Sequence, residues 1–178
     1  MTTTIALIGA PGSGKSTVGQ LLARRLGVEF RDVDAEIAEA QDTTVAQIFL
    51  DHGEEHFRRL EHDATLAALA EPGVVALGGG APVQADIATA LGGVTTVWLD
   101  VSARTASSRV GLNDATRPLL LGNVHSQLVK LMAQRRPVYA GCATVQVVTD
   151  DKTPEQVVEE VLGLLDDADP RRDHRDDA

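Results

Sequence analysis

A chain of 178 residues is long enough for one domain with a sizeable hydrophobic core, and its formal net charge is −10. This acidic surplus argues against a nucleic-acid partner, since phosphate backbones favour basic surfaces. No apolar run approaches the roughly 18 residues of a membrane span, and the N-terminal run lacks the basic region of a signal peptide. The single cysteine, Cys142, excludes an internal disulfide framework and fits a reducing compartment.

Strand-like apolar runs alternate with helical stretches along the chain. The predicted strands are residues 4–8, 28–30, 74–77, 94–99 and 145–148. The predicted helices are residues 17–26, 34–40, 45–50, 54–70, 84–91, 103–109, 124–136 and 154–165. This alternation is typical of a parallel sheet with helices on both faces, which binds ligands at the carboxyl ends of its strands. The sequence therefore predicts an α/β protein, a three-layer αβα sandwich with a five-stranded parallel sheet.

The first strand leads into the loop Gly9-Ala-Pro-Gly-Ser-Gly-Lys-Ser16, which matches the phosphate-loop pattern G-x-x-x-x-G-K-[ST]. Its glycines let the backbone turn tightly and point N–H groups inward, and the next helix directs its positive end to the same place. Lys15 adds a point charge, and the Ser16 hydroxyl can ligate Mg²⁺. The loop thus predicts a bound nucleoside triphosphate. Its predicted contacts are Gly12, Ser13, Gly14, Lys15, Ser16 and Thr17.

Three aspartates are candidates for the metal-side and acid–base roles. Asp32 and Asp34 follow the second apolar run, and alternate residues of an extended segment point to one side, so both carboxylates can face one site. One acid would hold the water shell of Mg²⁺, and the other would take the proton of a substrate hydroxyl. Asp34 equally suits a helix N-cap. Asp100 ends an apolar strand, the usual form of the second nucleoside-triphosphatase motif, and is a rival for the metal.

A helical pair and a glycine run offer candidates for binding the phosphate acceptor. Arg58 and Glu61 lie one turn apart on a predicted helix and therefore on one face, although surface ion pairing would explain the same spacing. Gly78, Gly79 and Gly80 end the third strand, where glycine has no packing value. Such a run indicates close approach of the backbone to a ligand, or else a flexible turn.

Residues 111–122 are bounded by glycines and lack clear periodicity, which predicts a lid in a phosphotransferase. Arg117 lies in this lid, and Arg135 precedes a proline near a helix end. Arginines on mobile segments can neutralise a transferring phosphoryl group. Residues 166–178 hold six acids and no large apolar residue, so we expect a disordered tail after one domain of residues 1–165.

These motifs occur in the order and spacing of one known family. They are the phosphate loop, Asp32-x-Asp34, Phe57-Arg58-x-x-Glu61, Gly78-Gly-Gly80, Arg117-Pro-Leu-Leu and Arg135-x-Pro-x-Tyr139. Together they resemble the shikimate kinases, from about residue 5 to residue 165. The resemblance implies a P-loop fold of the nucleoside-monophosphate-kinase type with a lid. It also implies phosphorylation of the 3-hydroxyl of shikimate by MgATP in aromatic amino-acid biosynthesis. We expect a cytoplasmic monomer with a small-molecule substrate.

The resemblance assigns roles to the matching residues. The implied metal ligands are Ser16 and Asp32, which leaves Asp100 structural. The implied catalytic residues are Lys15, Asp34 and Arg117. The implied shikimate contacts are Asp34, Arg58, Glu61, Gly78, Gly79, Gly80 and Arg135. The implied contacts on the nucleotide side, beyond the loop, are Arg109, Arg117 and Lys152. Two guanidinium forks suit a substrate carboxylate, because each can donate two parallel hydrogen bonds.

The sequence departs from the family pattern on the nucleotide side and carries a second arginine beside Arg135. Lys152 stands where relatives often carry an adenine-side arginine. The R-x-P-x-Y spacing selects Arg135, so we expect its neighbour Arg136 to be solvated. The alternative functions are a kinase for another small hydroxy acid such as gluconate, or for a nucleotide, and a nucleotide-binding regulator without catalytic activity.

Overall fold

The computed structural model describes residues 3–113 and 121–167 of the chain. Five strands and seven α-helices alternate in this part, with one 3₁₀ helix at Ala81–Val83. The strands are β1 (Thr4–Ile8), β2 (Phe30–Asp32), β3 (Gly73–Ala76), β4 (Thr95–Asp100) and β5 (Val145–Val148). The helices are α1 (Lys15–Leu26), α2 (Val33–Ala40), α3 (Val45–Leu69), α4 (Ala85–Leu91), α5 (Ala103–Asn113), α6 (Leu121–Cys142) and α7 (Pro154–Asp167).

The strands form one parallel sheet in the order β2-β3-β1-β4-β5. The central strand β1 pairs with β3 on one side and β4 on the other, so that Leu7 lies opposite both Ala76 and Val97. Because all strands run the same way, the loops that follow them meet at one edge of the sheet. The predicted five-stranded parallel sheet is confirmed, and its carboxyl edge is where a ligand is expected.

Two apolar cores cover the two faces of the sheet, as the alternation of side chains along a strand requires. In β1, Leu7 packs with α1 and α7, where Leu22 and Val158 are buried. Ala6 and Ile8 point the other way and join the core formed with α2, α3 and α4. Aliphatic residues make up most of both cores, in keeping with the 3% aromatic content of the chain.

Two helices differ from the predicted boundaries. The predicted helices 45–50 and 54–70 are one span, α3, interrupted at Gly53, whose φ of 81° and ψ of 170° are not helical. A positive φ favours glycine, so the break falls where the sequence allows it. Helix α6 was predicted to end at residue 136, yet it continues through Pro137 to Cys142. The remaining bounds agree within four residues: β2 begins and ends two residues later than predicted, and α5 ends four residues later.

The predicted lid and tail lie largely outside the described residues. Helix α5 extends to Asn113 and α6 begins at Leu121, so both ends of the predicted lid segment are helical. Arg117 lies between them, outside the described residues. Asp166 and Asp167, which were assigned to the tail, belong to the last turn of α7. Among the described helices, none is both long and apolar enough to cross a membrane.

Gly19 lies where α1 crosses β1 and β2, and it has no room for a side chain. A Cβ there would collide with the Phe30 ring and lie 3.1 Å from Leu7 Cδ1. We expect Gly19→Ala to lower the free energy of unfolding by about 1 to 3 kcal/mol, measured by urea denaturation. The matched control is Gly163→Ala in α7, where a Cβ would meet open space. That change should stabilise by about 0.5 to 1 kcal/mol, and a similar gain at Gly19 would contradict the packing argument.

Candidate active site

The phosphate loop joins β1 to α1 with a backbone that only glycine adopts without strain. Gly12 and Gly14 have φ values of 79° and 92°, both in the left-handed region. A Cβ on Gly12 would lie 2.8 Å from the carbonyl oxygen of Ala106, so a side chain is also excluded by packing against α5. Gly14 is the N-cap of α1, which directs the free N–H groups of that helix into the loop.

Lys15 lies inside the loop that precedes it. Its Nζ donates to the carbonyl oxygens of Gly9, at 2.8 Å, and Ala10, at 3.1 Å. Burial lowers the pKa of Lys15 to about 8, although the negative charges of Asp34 and Asp32 oppose this shift. At neutral pH the ammonium group is therefore still mostly charged, and it is held where a phosphate would meet the loop.

Ser16 and Asp32 meet beside this ammonium group. The Ser16 hydroxyl donates to Asp32 Oδ2, and Asp32 Oδ1 accepts from the backbone N–H of Ala35 at 3.2 Å. Asp32 is therefore the N-cap of α2, a role that the sequence had suggested for Asp34. A hydroxyl and a carboxylate are the hard oxygen donors that Mg²⁺ prefers, and few protein ligands suffice when phosphates and waters supply the rest.

The extended-strand argument for Asp32 and Asp34 is wrong in its geometry. Strand β2 ends at Asp32, and Asp34 lies in the first turn of α2 rather than two places along a strand. Both carboxylates nevertheless line one cleft of about 460 Å³, together with Lys15 and Ser16 of the loop. The first turn of α2 thus brings the two carboxylates to one side, as the alternation of side chains along a strand was expected to do.

Asp100 accepts hydrogen bonds from side chains of two other elements, α6 and β5. Arg136 donates from Nη1 to Oδ1 at 3.0 Å and from Nη2 to Oδ2 at 2.8 Å, and Gln146 Nε2 donates to Oδ2 at 2.8 Å. The Arg136 guanidinium also lies 5.0 Å from the centre of the Trp98 ring. Asp100 is thus engaged in an ion pair. The side chain of Arg136 is 57% exposed, in keeping with the expectation that it is solvated, but it also makes this ion pair, which the sequence did not predict.

Asp34 is a carboxylate in an unfavourable environment. Burial raises its pKa to about 6 from 3.8, and the charges of Glu61 and Asp32 add to this, while Lys15 and Arg58 oppose it. Its Oδ1 is buried and accepts no hydrogen bond from any residue that the structure describes. A raised pKa together with an unpaired oxygen at a cleft is typical of a group that handles protons.

Gly78 is the point where the two buried carboxylates meet the backbone. A Cβ there would collide with Glu61 Oε1 and lie 2.7 Å from Asp34 Oδ1. The first glycine of the run therefore makes room for site carboxylates. A flexible turn would not require such a close approach to the backbone. Gly78 is therefore a position of close approach, although the groups that approach it are side chains and not the expected ligand.

Arg58 and Glu61 form an ion pair that is mostly shielded from solvent. Arg58 Nη1 donates to Glu61 Oε2 at 2.6 Å, and Glu61 is only 1% exposed. Gln84 Nε2 donates to the same oxygen at 3.0 Å. On its other edge Arg58 contacts Glu54 at 3.3 Å. This is more than the surface pairing that the spacing alone allowed, because a buried carboxylate fixes one edge of the guanidinium group.

Arg58 and Arg135 line a second cleft, of about 400 Å³, between α3, α6 and the loop after β3. A Cβ on Gly80 would lie 2.6 Å from Arg58 Nη2, and one on Gly79 would lie 3.3 Å from Arg135 Nη1. The last two glycines therefore let both guanidinium groups approach the backbone. Tyr139 of α6 donates to the Gly79 carbonyl oxygen at 2.6 Å and holds this loop against the helix.

A third cleft, of about 250 Å³, lies on the outer side of the phosphate loop. Arg109 spans it by donating to the Gly12 carbonyl oxygen at 3.1 Å and to Thr149 Oγ1 and O at 3.1 and 3.0 Å. Lys152 lines the same cleft and pairs with Glu160. Arg109 and Lys152 are thus brought together with Ser13 and Thr17 of the loop.

Several known proteins share the sequence pattern and the fold of this chain. The shikimate kinase family model matches residues 11–166. The shikimate kinases of Salinispora arenicola and Salinispora tropica are each 52% identical over 160 residues, 89% of this chain and 95% of theirs. The shikimate kinase from Acinetobacter baumannii in complex with shikimate superposes with a TM-score of 0.88 at 31% identity, over 96% of each chain. The chain belongs to the shikimate kinase family. It is accordingly an ATP-dependent phosphotransferase with the P-loop fold of nucleoside-monophosphate kinases.

Two residues that contact the candidate site residues were not predicted from the sequence. Gln84 contacts Glu61 from the N-cap of α4, a position that carries no motif. Thr149 is buried at the carboxyl end of β5 and accepts from Arg109. A polar residue directly after a strand of a parallel sheet lies at the ligand edge, so this signal was available for Thr149.

The shielded charge of Asp34 should make the free energy of unfolding depend on pH. Its pKa is about 6 in the folded state against 3.8 in model compounds, so its ionised form destabilises the fold above about pH 6. We expect Asp34→Asn to raise the free energy of unfolding by about 1 to 2 kcal/mol at pH 7. The gain should shrink towards about pH 4, as the carboxyl group becomes protonated in both states.

Urea unfolding of both proteins at the two pH values measures this effect. Asp51→Asn, at an exposed position of α3, is the matched control and should change little at either pH. A stability gain at Asp34 that does not depend on pH would contradict the assignment of the effect to its charge.

Proposed function

We propose that this ATP-dependent kinase transfers the γ-phosphate of ATP to the 3-hydroxyl of shikimate, giving shikimate 3-phosphate and ADP, in the biosynthesis of aromatic amino acids. One observation carries the proposal. Asp34 lines the phosphate-loop cleft and Arg58 lines the second cleft. The buried Glu61 carboxylate connects the two clefts, because it accepts from Arg58 and lies with Asp34 against Gly78. A donor site and a site for an anionic acceptor therefore flank one group with a raised pKa.

On the donor side, the amides of Gly12, Ser13 and Gly14 and the ammonium group of Lys15 would hold the β- and γ-phosphates. We propose Mg²⁺ as the metal, held by Ser16 and through Asp32, because their oxygens already face each other beside Lys15. When bound, the ion neutralises phosphate charge. Thr17, which lines both clefts of the loop, would contact the α-phosphate. The further nucleotide contacts are Arg109 and Lys152 on the adenine side and Arg117 on the phosphates.

On the acceptor side, Arg58 and Arg135 would bind the carboxylate of shikimate with parallel hydrogen bonds. Their support is that both line one cleft. Glu61 holds one edge of Arg58, and the exposed Glu54, now 3.3 Å from the other edge, would give way to the carboxylate of shikimate. Gly79 and Gly80 would let the ring approach the backbone, with Gly78 and Glu61 completing the wall. One buried carboxylate accompanies two guanidinium groups, so one positive charge of these three groups remains for the carboxylate of the substrate.

Asp34 would act as the general base. Its carboxylate accepts the proton of the attacking hydroxyl, the hydroxyl oxygen forms a bond to the γ-phosphorus, and the bond to the β,γ-bridging oxygen breaks to release ADP. With a pKa of about 6, Asp34 is mostly ionised at pH 7 and is a stronger base than an exposed aspartate. Lys15 and Arg117 would neutralise the transferring group, and closure of the lid would exclude water.

We further propose that the enzyme is a cytoplasmic monomer that acts on small molecules and has no nucleic-acid or membrane partner. The support is chemical. A net charge of −10 disfavours polyanionic partners, and a single cysteine suits a reducing compartment.

The choice of acceptor can be tested with a coupled ADP-release assay on shikimate, gluconate and a nucleoside monophosphate. We expect ADP release with shikimate and not with the other two acceptors. No ADP release with shikimate would overturn the proposal.

Arg58→Ala should raise the KM for shikimate by about 100-fold, because a charged hydrogen-bond pair to the carboxylate is lost, and leave the KM for ATP nearly unchanged. Arg59→Ala, at an exposed arginine that pairs with Glu55, is the matched control. Weaker ATP binding with unchanged shikimate binding in Arg58→Ala would contradict the assignment.

Arg117 is proposed to contact the transferring phosphate most strongly in the transition state. We expect Arg117→Ala to lower kcat by about 10³-fold or more while both KM values change little. Steady-state kinetics with both substrates varied measure this, and thermal unfolding checks that the variant is folded. An effect confined to the KM for shikimate would instead make Arg117 an acceptor-binding residue.

A further inference from the structure

Helix α6 carries Arg135 at a point where the helix is weakened. Pro137 lies inside the helix and has no N–H, so the carbonyl oxygen of Ala133, one turn earlier, loses its usual helical donor. Arg135 stands between these two positions. The direction of its side chain therefore depends on contacts that other residues of this turn make with the rest of the fold.

Arg136 supplies one of these contacts. Both of its terminal nitrogens donate to the two oxygens of Asp100 at the end of β4, at 3.0 and 2.8 Å. Asp100 is 8% exposed and is also held by Gln146 of β5, so the acceptor is fixed by the sheet. The Trp98 ring supports the guanidinium group from β4 at 5.0 Å. A planar fork on a fixed carboxylate leaves this side chain little freedom to rotate.

Tyr139 provides a second attachment on the other side of the proline. Its hydroxyl donates to Gly79 O at 2.6 Å, and its ring lies 6.0 Å from that of Trp98. The weakened turn is thus held at two points, to β4 and to the glycine run. Arg135 lies between them and next to the same glycine run, since a Cβ on Gly79 would lie 3.3 Å from its Nη1.

Successive residues of a helix point about 100° apart. Arg136 directs its side chain to β4, while Arg135 directs its own into the cleft that Arg58 also lines. The two directions are coupled, because any rotation of the turn about the helix axis moves both side chains. Fixing Arg136 on the sheet therefore fixes the angle at which Arg135 enters the cleft.

We propose that Arg136 is a positioning residue for the acceptor: its fork on Asp100 holds the Pro137 turn so that Arg135 meets the carboxylate of the substrate. This inference rests on the proposed function, in which Arg135 binds that carboxylate. Arg136 does not touch the substrate in this arrangement. Its side chain is 57% exposed, pairs with Asp100 of β4 and does not line the cleft that holds Arg58 and Arg135.

The test compares Arg136→Ala, Arg136→Lys and Asp100→Asn in steady-state kinetics with shikimate and ATP. We expect Arg136→Ala and Asp100→Asn each to raise the KM for shikimate about tenfold, because a misdirected Arg135 loses its parallel hydrogen bonds. The KM for ATP and kcat should stay within about threefold. Arg136→Lys keeps the charge without the fork and should fall between wild type and Arg136→Ala.

The double variant Arg136→Ala/Asp100→Asn tests whether Arg136 and Asp100 act through their contact with each other or independently. We expect its KM for shikimate to match that of either single variant, because both changes break the same contact. Thermal unfolding of each variant gives the folded fraction. Arg59→Ala is the control for removal of an exposed, ion-paired arginine and should leave both KM values unchanged.

Arg135→Ala distinguishes failure of this inference from failure of the proposed function. If Arg135→Ala leaves the KM for shikimate unchanged, the proposed binding role of Arg135 is wrong. If it raises that KM while Arg136→Ala does not, the positioning role alone is wrong. A lower unfolding temperature with unchanged kinetic constants would also overturn the positioning role, since it would show that the ion pair only stabilises the helix. An equal rise in both KM values would do the same.

Discussion

The site depends on keeping two carboxylates, those of Asp34 and Glu61, buried beside each other. Their mutual repulsion and their burial raise the pKa of Asp34, and such a pair is tolerated only where cations compensate it. Arg58 and Gln84 satisfy Glu61, while Lys15 faces Asp34 from the phosphate loop. Asp34, whose Oδ1 accepts no hydrogen bond within residues 3–113 and 121–167, is thus the carboxylate proposed to accept a proton.

The protein is acidic overall and yet uses a polyanionic co-substrate, which makes local geometry decisive. A net charge of −10 repels ATP at long range, so binding has to come from donors concentrated at the carboxyl edge of the sheet. Backbone carbonyl oxygens hold Lys15 and Arg109 there, and the carboxylates of Asp34 and Asp32 also lie near the Lys15 ammonium group. Such donors need no reorganisation when phosphate arrives, and this is what electrostatic catalysis of phosphoryl transfer requires.

Helix α6 links the acceptor cleft to the sheet, and its two neighbouring arginines contact different parts of the fold. Arg136 and Asp100 join the helix to β4, while Arg135 enters the cleft beside Gly79. Asp100, which ends an apolar strand as a metal-binding aspartate would, is thereby engaged in a structural ion pair. The oxygens of Ser16 and Asp32, already in contact, are left as the donors suited to Mg²⁺.

The five parallel strands, the phosphate loop and the spacing of the Arg58 and Gly78–Gly80 motifs were predictable from the sequence, because they depend on local periodicity and backbone freedom. Asp32 was correctly placed near Ser16, but its role as N-cap was not predictable, since the end of β2 is decided by pairing with β3. The contacts of Arg136 with Asp100 and of Gln84 with Glu61 join residues 36 and 23 positions apart. Only tertiary packing decides such contacts, because no local pattern records which helix face meets which strand end.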